Sequence, residues 1–282
     1  MIRLPAAAAS AAIALALTAA FAAPPAAAEL SPDQQRLFEA LGLPATIEIM
    51  REEGVEYGAQ LESTMFPGRG GSSWIAIVEQ IYDTGAMTAT VADEFGTALS
   101  GTDITPLLDF FASERGQEII SFEITARQAF TDPDIETAAN ERMRQMRVDD
   151  DPRLTLLDQF IDTNDLIGSN LMGAMNANWA FYQGLAEGGG VDDAVTDEQM
   201  LLNIWEQEDE VRAETELWVY SYLALAYQPL ADEDLEAYIA LSQSEEGQAL
   251  NRALFSAFDA MYNTIHRGLG LAASRFMVGE DI

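Results

Sequence analysis

The fold class follows from residues 196–229, which read TDEQMLLNIWEQEDEVRAETELWVYSYLALAYQP. Apolar residues recur in this stretch every three or four positions or at multiples of that spacing, at Leu201, Ile204, Trp205, Val211, Trp218, Tyr222 and Leu225. A period near 3.6 residues is typical of an α-helix with one buried face. Thr196 and Gln199 fit a capping box before the pattern, and Pro229 closes it, so the stretch predicts one long helix.

The rest of the chain carries the same helical signature. Ser31 fits an N-cap, Pro32 the first helical position, and Gln34 the third position of a second capping box. Runs of alternating β-branched residues between hairpin turns, which would indicate strands, are not found. We therefore predict an all-α protein of about ten helices.

A short motif occurs twice. Residues 113–117 (SERGQ) recur as residues 244–248 (SEEGQ), and Trp74 and Trp205 are separated by the same 131 positions. The constant offset predicts two diverged copies of one helical unit, residues 29–150 and 151–282, packed as an internal pseudo-dimer. A run of Asp residues followed by Pro152 marks the join.

The first copy of the motif, with Phe110 and Phe111 before it, resembles the hallmark of the bacterial family called domain of unknown function 2059. That hallmark is an aromatic pair, Ser, two variable residues, Gly and Gln. In the second copy residues 241–243 (LSQ) replace the aromatic stretch, while the Ser, Gly and Gln remain. The resemblance covers part of each half and implies an exported helical protein, with no particular activity.

Each motif position has a structural interpretation. The serine is expected to cap a helix by accepting an amide hydrogen bond in its first turn. The glycine lowers helix propensity by about 1 kcal/mol relative to Ala, which predicts a close neighbour: a crossing helix or, alternatively, a ligand. The glutamine is suited to bonding a neighbouring helix end. The predicted structural residues are Ser113, Gly116, Gln117, Ser244, Gly247, Gln248, Trp74 and Trp205.

The N-terminus has the layout of a secretory signal peptide. Arg3 supplies the positive charge, an Ala-rich apolar stretch follows, and small residues at 26–28 predict cleavage between Ala28 and Glu29. After residues 1–28, no run of about 18 apolar residues is present to span a membrane. We therefore predict a periplasmic or secreted protein without an integral membrane segment.

Composition excludes several classes of function. The net charge is −33, and all 14 basic residues are Arg. Because so acidic a protein repels phosphate, we expect no nucleic-acid partner. The absence of Cys excludes disulfides, thiol catalysis and Cys-ligated metals.

Residues that usually carry catalysis or metal binding are sparse. His266, the single histidine, falls in a last helix predicted over residues 256–275, where we assign it a surface or packing role. Stretches beginning at Asp132 and Asp232 resemble calcium loops, but both lack Gly at the sixth position and Glu at the twelfth. We predict no catalytic residue, no metal and no cofactor.

Two alternatives concern the acids and the aromatic residues. Glu79 and Glu210 hold equivalent positions in the two copies, and Glu208 lies on the apolar stripe of its helix. They are the candidates for a carboxylate-dependent hydrolase of the cell envelope. Aromatic residues at helical spacing fit core packing or, alternatively, a groove between the copies; they are Trp74, Trp179, Trp205, Trp218 and Tyr222.

The interpretation that the sequence favours is a non-enzymatic binding or scaffold module. Duplication without recognisable catalytic residues is typical of such a protein. The expected partner is an unknown protein, a peptide or a small apolar ligand.

Overall fold

The computed structural model describes residues 30–192 and 194–278, so the predicted signal peptide and its cleavage site at Ala28 and Glu29 lie outside the described residues. No strand occurs within those two ranges, and the predicted all-α class is confirmed. None of the helices found there is long and apolar enough to cross a membrane. The thirteen helices of these ranges, a few more than predicted, are α1 (Pro32–Ala40), α2 (Leu43–Met65), α3 (Gly71–Ile81), α4 (Thr84–Ala98), α5 (Thr105–Phe111), α6 (Glu114–Ala129), α7 (Pro133–Val148), α8 (Arg153–Thr163), α9 (Leu166–Glu187), α10 (Asp197–Trp205), α11 (Glu208–Ala226), α12 (Asp232–Ser242) and α13 (Glu245–Val278).

Capping boxes start two of the helices, as predicted. The Ser31 hydroxyl accepts a hydrogen bond from the Gln34 N–H at 3.3 Å, and the Gln34 side-chain oxygen accepts one from the Ser31 N–H at 3.0 Å. Thr196 and Gln199 form the same reciprocal pair at the start of α10. These bonds satisfy amide donors that the first helical turn leaves without partners.

The prediction of one long helix after Thr196 is wrong, because the chain forms α10 and α11 with a break at Glu206 and Gln207. Acids crowd this point, at position 206 and at positions 208–210. Their repulsion disfavours a continuous helix, whereas the three acids at 208–210 are stabilised at the positive end of a new one. Since the apolar periodicity continues across the break, the pattern alone does not reveal it.

The last helix begins at Glu245 rather than near residue 256 as predicted. At an offset of 131 residues, α13 corresponds to α6 and α7 together. Between those two, Asp132 caps α7 and Pro133 takes its first position, which stops the preceding helix. The equivalent residues in the second half are Asn263 and Thr264, and the helix continues through them.

The C-terminal helices of each half pack in a core that the other half mainly forms. The larger core packs α1–α5 around α13, with Trp74, Phe95 and Leu269 fully buried in it. The smaller core packs α6 and α7 against α8, α11 and α12, around Leu157 and Leu235. Neither half therefore completes a core without helices from the other.

Helices α9 and α13 cross with their backbones in contact. A Cβ atom added to Gly184 would overlap the carbonyl oxygen of Arg267, and one added to Gly270 would overlap that of Phe181. Glycine on both helices is what permits this approach. The crossing fixes the two longest helices of the second half against each other.

Candidate functional site

A cavity of about 1360 Å³ lies between the halves. Helices α2, α6 and α7 of the first half and α9, α11 and α13 of the second supply most of its wall. Tyr57, Met172 and Leu217 are on the wall and exposed, so the cavity opens to solvent beside them. Small-molecule sites typically measure about 300–1000 Å³, so this space suffices for a sizeable ligand.

Ten aromatic side chains lie on the wall. Trp218 stacks on Tyr222 with ring centroids 5.0 Å apart, and Phe160 contacts Tyr238 at 4.9 Å. Tyrosine combines an apolar ring with a hydroxyl, so such a wall is apolar and can still form hydrogen bonds. Six of the eight tyrosines line the cavity, together with one Trp and three Phe: Tyr57, Tyr82, Tyr222, Tyr227, Tyr238, Tyr262, Trp218, Phe160, Phe255 and Phe258.

Glu123 places a carboxyl group within this aromatic wall. The Tyr227 hydroxyl donates to Glu123 Oε1 at 2.6 Å, and the Tyr222 hydroxyl donates to the Glu123 backbone carbonyl at 3.0 Å. The side chain is partly buried and lines the cavity. Burial raises the pKa of the carboxyl to about 7, although the Tyr227 hydrogen bond acts in the opposite direction. Near neutral pH the group is therefore divided between its protonated and ionised forms.

An ion pair joins α2 to α6 one helical turn beyond Glu123. Arg127 Nε donates to Glu53 Oε1 at 3.1 Å, and Arg127 Nη2 donates to Glu53 Oε2 at 2.7 Å. The guanidinium carbon also lies 5.7 Å from the centre of the Trp218 ring. Two parallel hydrogen bonds hold both side chains in place and balance the Arg127 charge within the pair.

Amide groups hold a further carboxylate of the wall, that of Asp259 on α13. Asn176 Nδ2 donates to Asp259 Oδ1 at 3.2 Å, and Asn263 Nδ2 donates to Asp259 Oδ2 at 3.1 Å. Asn140, on α7, has a buried side-chain oxygen that forms no hydrogen bond to the described residues. Polar groups from three helices thus converge on a mainly apolar cavity, as in sites that bind organic molecules.

His266 packs into the wall between two tyrosines. Its ring centroid lies 5.7 Å from that of Tyr57 and 6.2 Å from that of Tyr262. Burial lowers the pKa of the imidazole to about 4, so the ring is neutral at pH 7. Within the described chain, Nδ1 has no hydrogen-bond partner. The single histidine therefore has a packing role, one of the two roles predicted for it.

In eight groups of the wall, burial shifts the pKa in the direction that favours the neutral form. It raises the pKa of the tyrosines and of Glu123 and lowers the pKa of His266. Ionisable groups with strongly shifted pKa values occur at functional sites more often than elsewhere. The eight groups are Tyr57, Tyr82, Glu123, Tyr222, Tyr227, Tyr238, Tyr262 and His266.

The repeated motif lies outside the cavity wall and secures helix starts. Ser113 Oγ accepts a hydrogen bond from the Gly116 N–H at 3.1 Å, and Ser244 Oγ accepts one from the Gly247 N–H at 3.0 Å. A Cβ atom on either glycine would overlap the backbone of the preceding helix, α5 or α12. That helix, and not a ligand, is the close neighbour of these glycines.

The two motif glutamines make matching hydrogen bonds to helix ends. Gln117 Nε2 donates to the last carbonyls of α1 and α5, at 2.8 and 2.7 Å. Gln248 Nε2 donates to the last carbonyls of α8 and α12, at 2.9 and 2.8 Å. Each glutamine thus ties together two helix ends that lack partners within their own helices.

Trp74 and Trp205 correspond at the 131-residue offset, but they differ in burial. Trp74 is fully buried in α3, and its indole N–H donates to the Gly58 carbonyl at 2.8 Å. Trp205 is 50% exposed, so a core-packing role for it is wrong. The break after α10 puts Trp205 at a helix end, whereas Trp74 lies near a helix start. Of the other predicted aromatic residues, Trp218 and Tyr222 line the cavity.

The acids considered for hydrolysis do not lie on the cavity wall. Glu79 and Glu210 are exposed, and Glu208 pairs with Arg212 one turn along α11 at 2.9 Å. Glu208 is partly buried, and the helix break places it in the first turn of α11, away from the cavity.

The two acidic stretches compared with calcium loops are helix starts. Asp132 Oδ1 accepts a hydrogen bond from the Asp134 N–H at 2.9 Å, and Asp232 lies in the first turn of α12. Over residues 30–192 and 194–278, no group of three or more His, Asp or Glu is arranged to hold a metal ion.

Sequence analysis missed the polar groups of the cavity, Glu53, Glu123 and Arg127. The available signal is weak: Glu123 falls between Phe122 and Ile124 in an otherwise apolar stretch. Among 47 acids such a position is common, and it does not indicate a site.

Comparisons of the chain with models of protein families, with curated proteins and with solved structures find no match. The resemblance to domain of unknown function 2059 therefore stays a prediction from the motif.

Proposed function

We propose that this protein is an exported, non-enzymatic binding protein that holds a small organic molecule in the cavity between its two halves. The observation that carries the proposal is the cavity itself, about 1360 Å³ in volume and lined by six tyrosines. Mainly apolar walls with a few convergent polar groups characterise small-molecule sites, and such sites favour the interface between structural units.

The polar groups of the wall favour an amphipathic ligand over a purely apolar one. Glu123, Asp259 and the tyrosine hydroxyls offer hydrogen-bonding atoms within an aromatic surround. A hydrocarbon would leave these groups dehydrated and without partners, which costs free energy for each group. A molecule with an apolar body and at least one polar head avoids that cost.

We further infer that the two halves arose by duplication of one helical unit. The matching hydrogen bonds of Gln117 and Gln248 support this origin, as does the αL conformation of both Gly42 and Asp165 directly before α2 and α9. In this interpretation the cavity is the space between the copies, and divergence of the two halves made its wall asymmetric.

Binding is tested with N-phenyl-1-naphthylamine, a neutral dye that has an apolar aromatic body and one N–H donor and whose emission rises in apolar surroundings. We expect saturable binding of one dye per chain. Gly173 is suited to a blocking substitution, because a Cβ there would meet only Asp259 Oδ1, at 3.9 Å. Gly173→Phe should fill part of the cavity and weaken dye binding about tenfold or more.

Leu202→Phe provides the matched control, since Leu202 is 56% exposed on α10 and is not on the cavity wall. This variant should bind dye as the unmodified protein does. No saturable binding, or equal binding by both variants, would contradict the proposal. Melting temperatures of both variants establish that each is folded.

A carboxylate-dependent hydrolase is the second candidate, and the observation that favours it is Glu123. A pKa near 7 suits a general acid, and Glu53 supplies a second, ion-paired carboxylate on the same wall. Assays of chromogenic glycosides and esters at pH 5.5 test this candidate. Turnover that Glu123→Gln abolishes would favour the hydrolase over the binding protein.

A further inference from the structure

The wall of the cavity carries far more acid than base. Its single arginine, Arg127, is engaged by both oxygens of Glu53, and His266 is neutral at pH 7. The chain as a whole carries a net charge of −33, so the surrounding field also attracts cations and repels anions. The six acids on the wall are Glu53, Glu123, Glu136, Asp165, Glu214 and Asp259.

Among these acids, Glu123 is partly buried, and no ion pair to it is found among the described residues. Its one side-chain hydrogen bond comes from the Tyr227 hydroxyl at 2.6 Å and reaches Oε1. A carboxylate in such surroundings is unfavourable unless a positive charge approaches it. A positive charge would approach Glu123 from the cavity.

Aromatic rings surround that approach. Phe160 contacts the Tyr227 ring at 5.5 Å and the Tyr238 ring at 4.9 Å, and the Tyr222 hydroxyl bonds the Glu123 backbone. The electron-rich faces of such rings attract cations, and they attract organic ammonium groups in particular when water is excluded. A carboxylate with several tyrosines is the composition of an ammonium-binding cage.

We propose that the ligand of the cavity is an organic cation with an apolar body, bound with its ammonium group against Glu123 and the rings of Phe160, Tyr222, Tyr227 and Tyr238. This rests on the proposed function, because it names the class of molecule held in the same cavity. An anion would meet the acidic wall, and a neutral molecule would leave the Glu123 charge without a partner. A metal ion is not favoured, because no group of three or more His, Asp or Glu among the described residues is arranged to hold one.

Calorimetry with three compounds of one shape tests the charge: 2-naphthylmethyl-trimethylammonium, 2-naphthylmethanol and 2-naphthoate. At pH 8.5, where Glu123 is ionised, the ammonium compound should bind at least about tenfold more tightly than the alcohol. Glu123→Gln should reduce ammonium binding to the level of the alcohol and leave alcohol binding unchanged. The matched control is Glu214→Gln, which removes a charge from the exposed part of the wall and should preserve most of the difference.

The pH dependence supplies a second test. The ionisable groups facing Glu123 are Tyr222 of α11, Tyr227 directly after α11 and Tyr238 of α12, with the Glu53–Arg127 pair beyond. The tyrosines stay neutral below pH 9, because burial raises the pKa of each, so Glu123 governs the response between pH 8.5 and pH 5.5. Protonation of Glu123 at pH 5.5 should weaken ammonium binding by up to about 30-fold, with little change for the alcohol.

The outcomes separate this inference from the proposed function. Failure of the dye and of all three compounds to bind would overturn both, whereas failure of the three compounds with the dye bound would overturn the cation proposal alone. Equal binding of ammonium and alcohol at pH 8.5, tighter binding of naphthoate, or an ammonium preference that survives Glu123→Gln would overturn the cation proposal alone.

Discussion

Replacement of Glu123 with glutamine should stabilise the ligand-free protein at alkaline pH and leave its stability almost unchanged in acid. Unfolded, a Glu carboxyl ionises at about 4.5; in the folded protein burial raises the pKa of Glu123 to about 7. Since the folded state binds this proton more tightly, stability falls as pH rises from about 4.5 to about 7. The pKa difference corresponds to about 3 kcal/mol above pH 7.

Glutamine is neutral at every pH and keeps an oxygen that accepts the Tyr227 hydrogen bond. We therefore expect the variant to be more stable than the unmodified protein by up to about 3 kcal/mol at pH 8 and by less than about 1 kcal/mol at pH 5. Urea unfolding of both proteins at pH 5, 6, 7 and 8 measures this difference directly. Comparing two proteins that differ at one carboxyl cancels the titration of the other acids.

A stability difference that is independent of pH would refute the reasoning, because it would show that Glu123 titrates normally in the folded state. A variant less stable at pH 8 would refute it as well, since it would mean that the carboxylate makes favourable contacts that glutamine does not replace.

Five further substitutions, in three experiments, test the packing. Gly184→Ala should destabilise the fold by about 1–3 kcal/mol through overlap with α13. Gly173→Ala, on the same helix, places its Cβ only in ordinary contact with Asp259 Oδ1 at 3.9 Å and should raise stability by up to about 1 kcal/mol. Denaturant titrations of the pair should show opposite signs. Trp74→Ala should lower the free energy of unfolding by about 3–5 kcal/mol, and Trp205→Ala should lower it by less than about 0.5 kcal/mol. Similar losses of stability in thermal unfolding would contradict the different burial of the two residues. Gln248→Leu should lower stability by about 1–3 kcal/mol and speed amide exchange near the ends of α8 and α12. Unchanged exchange there would argue that Gln248 does not hold these two helix ends together.

The helical class was predictable because local signals encode it. The capping side chains Ser31 and Thr196 act within their own first turns, and their bonds are present in the structure. The break before α11 and the start of α13 were not predictable from periodicity. In the first case repulsion among neighbouring acids outweighs a continuous apolar pattern; in the second, α13 continues where Pro133 interrupts the first half.

The cavity was not predictable because its contacts join distant parts of the chain. Glu123 and Tyr227 are 104 residues apart, and Glu53 and Arg127 are 74 apart. No local spacing encodes such pairs. The groove between the copies, considered for the aromatic residues, anticipated part of the wall, since Tyr222 lies on it.

The packing of C-terminal helices in the core of the opposite half bears on how this protein is made. Because α13 fills the core built by α1–α5, the main apolar surface of the first half is uncovered when this half leaves the ribosome. It stays uncovered until α13, which is encoded near the other end of the chain, has been made. Such long-range pairing slows folding and prolongs the exposure of apolar surface. A chain in this state stays accessible to chaperones. The cavity between the halves forms only when α13 docks, because α13 supplies part of its wall, so no fragment made earlier in synthesis contains it.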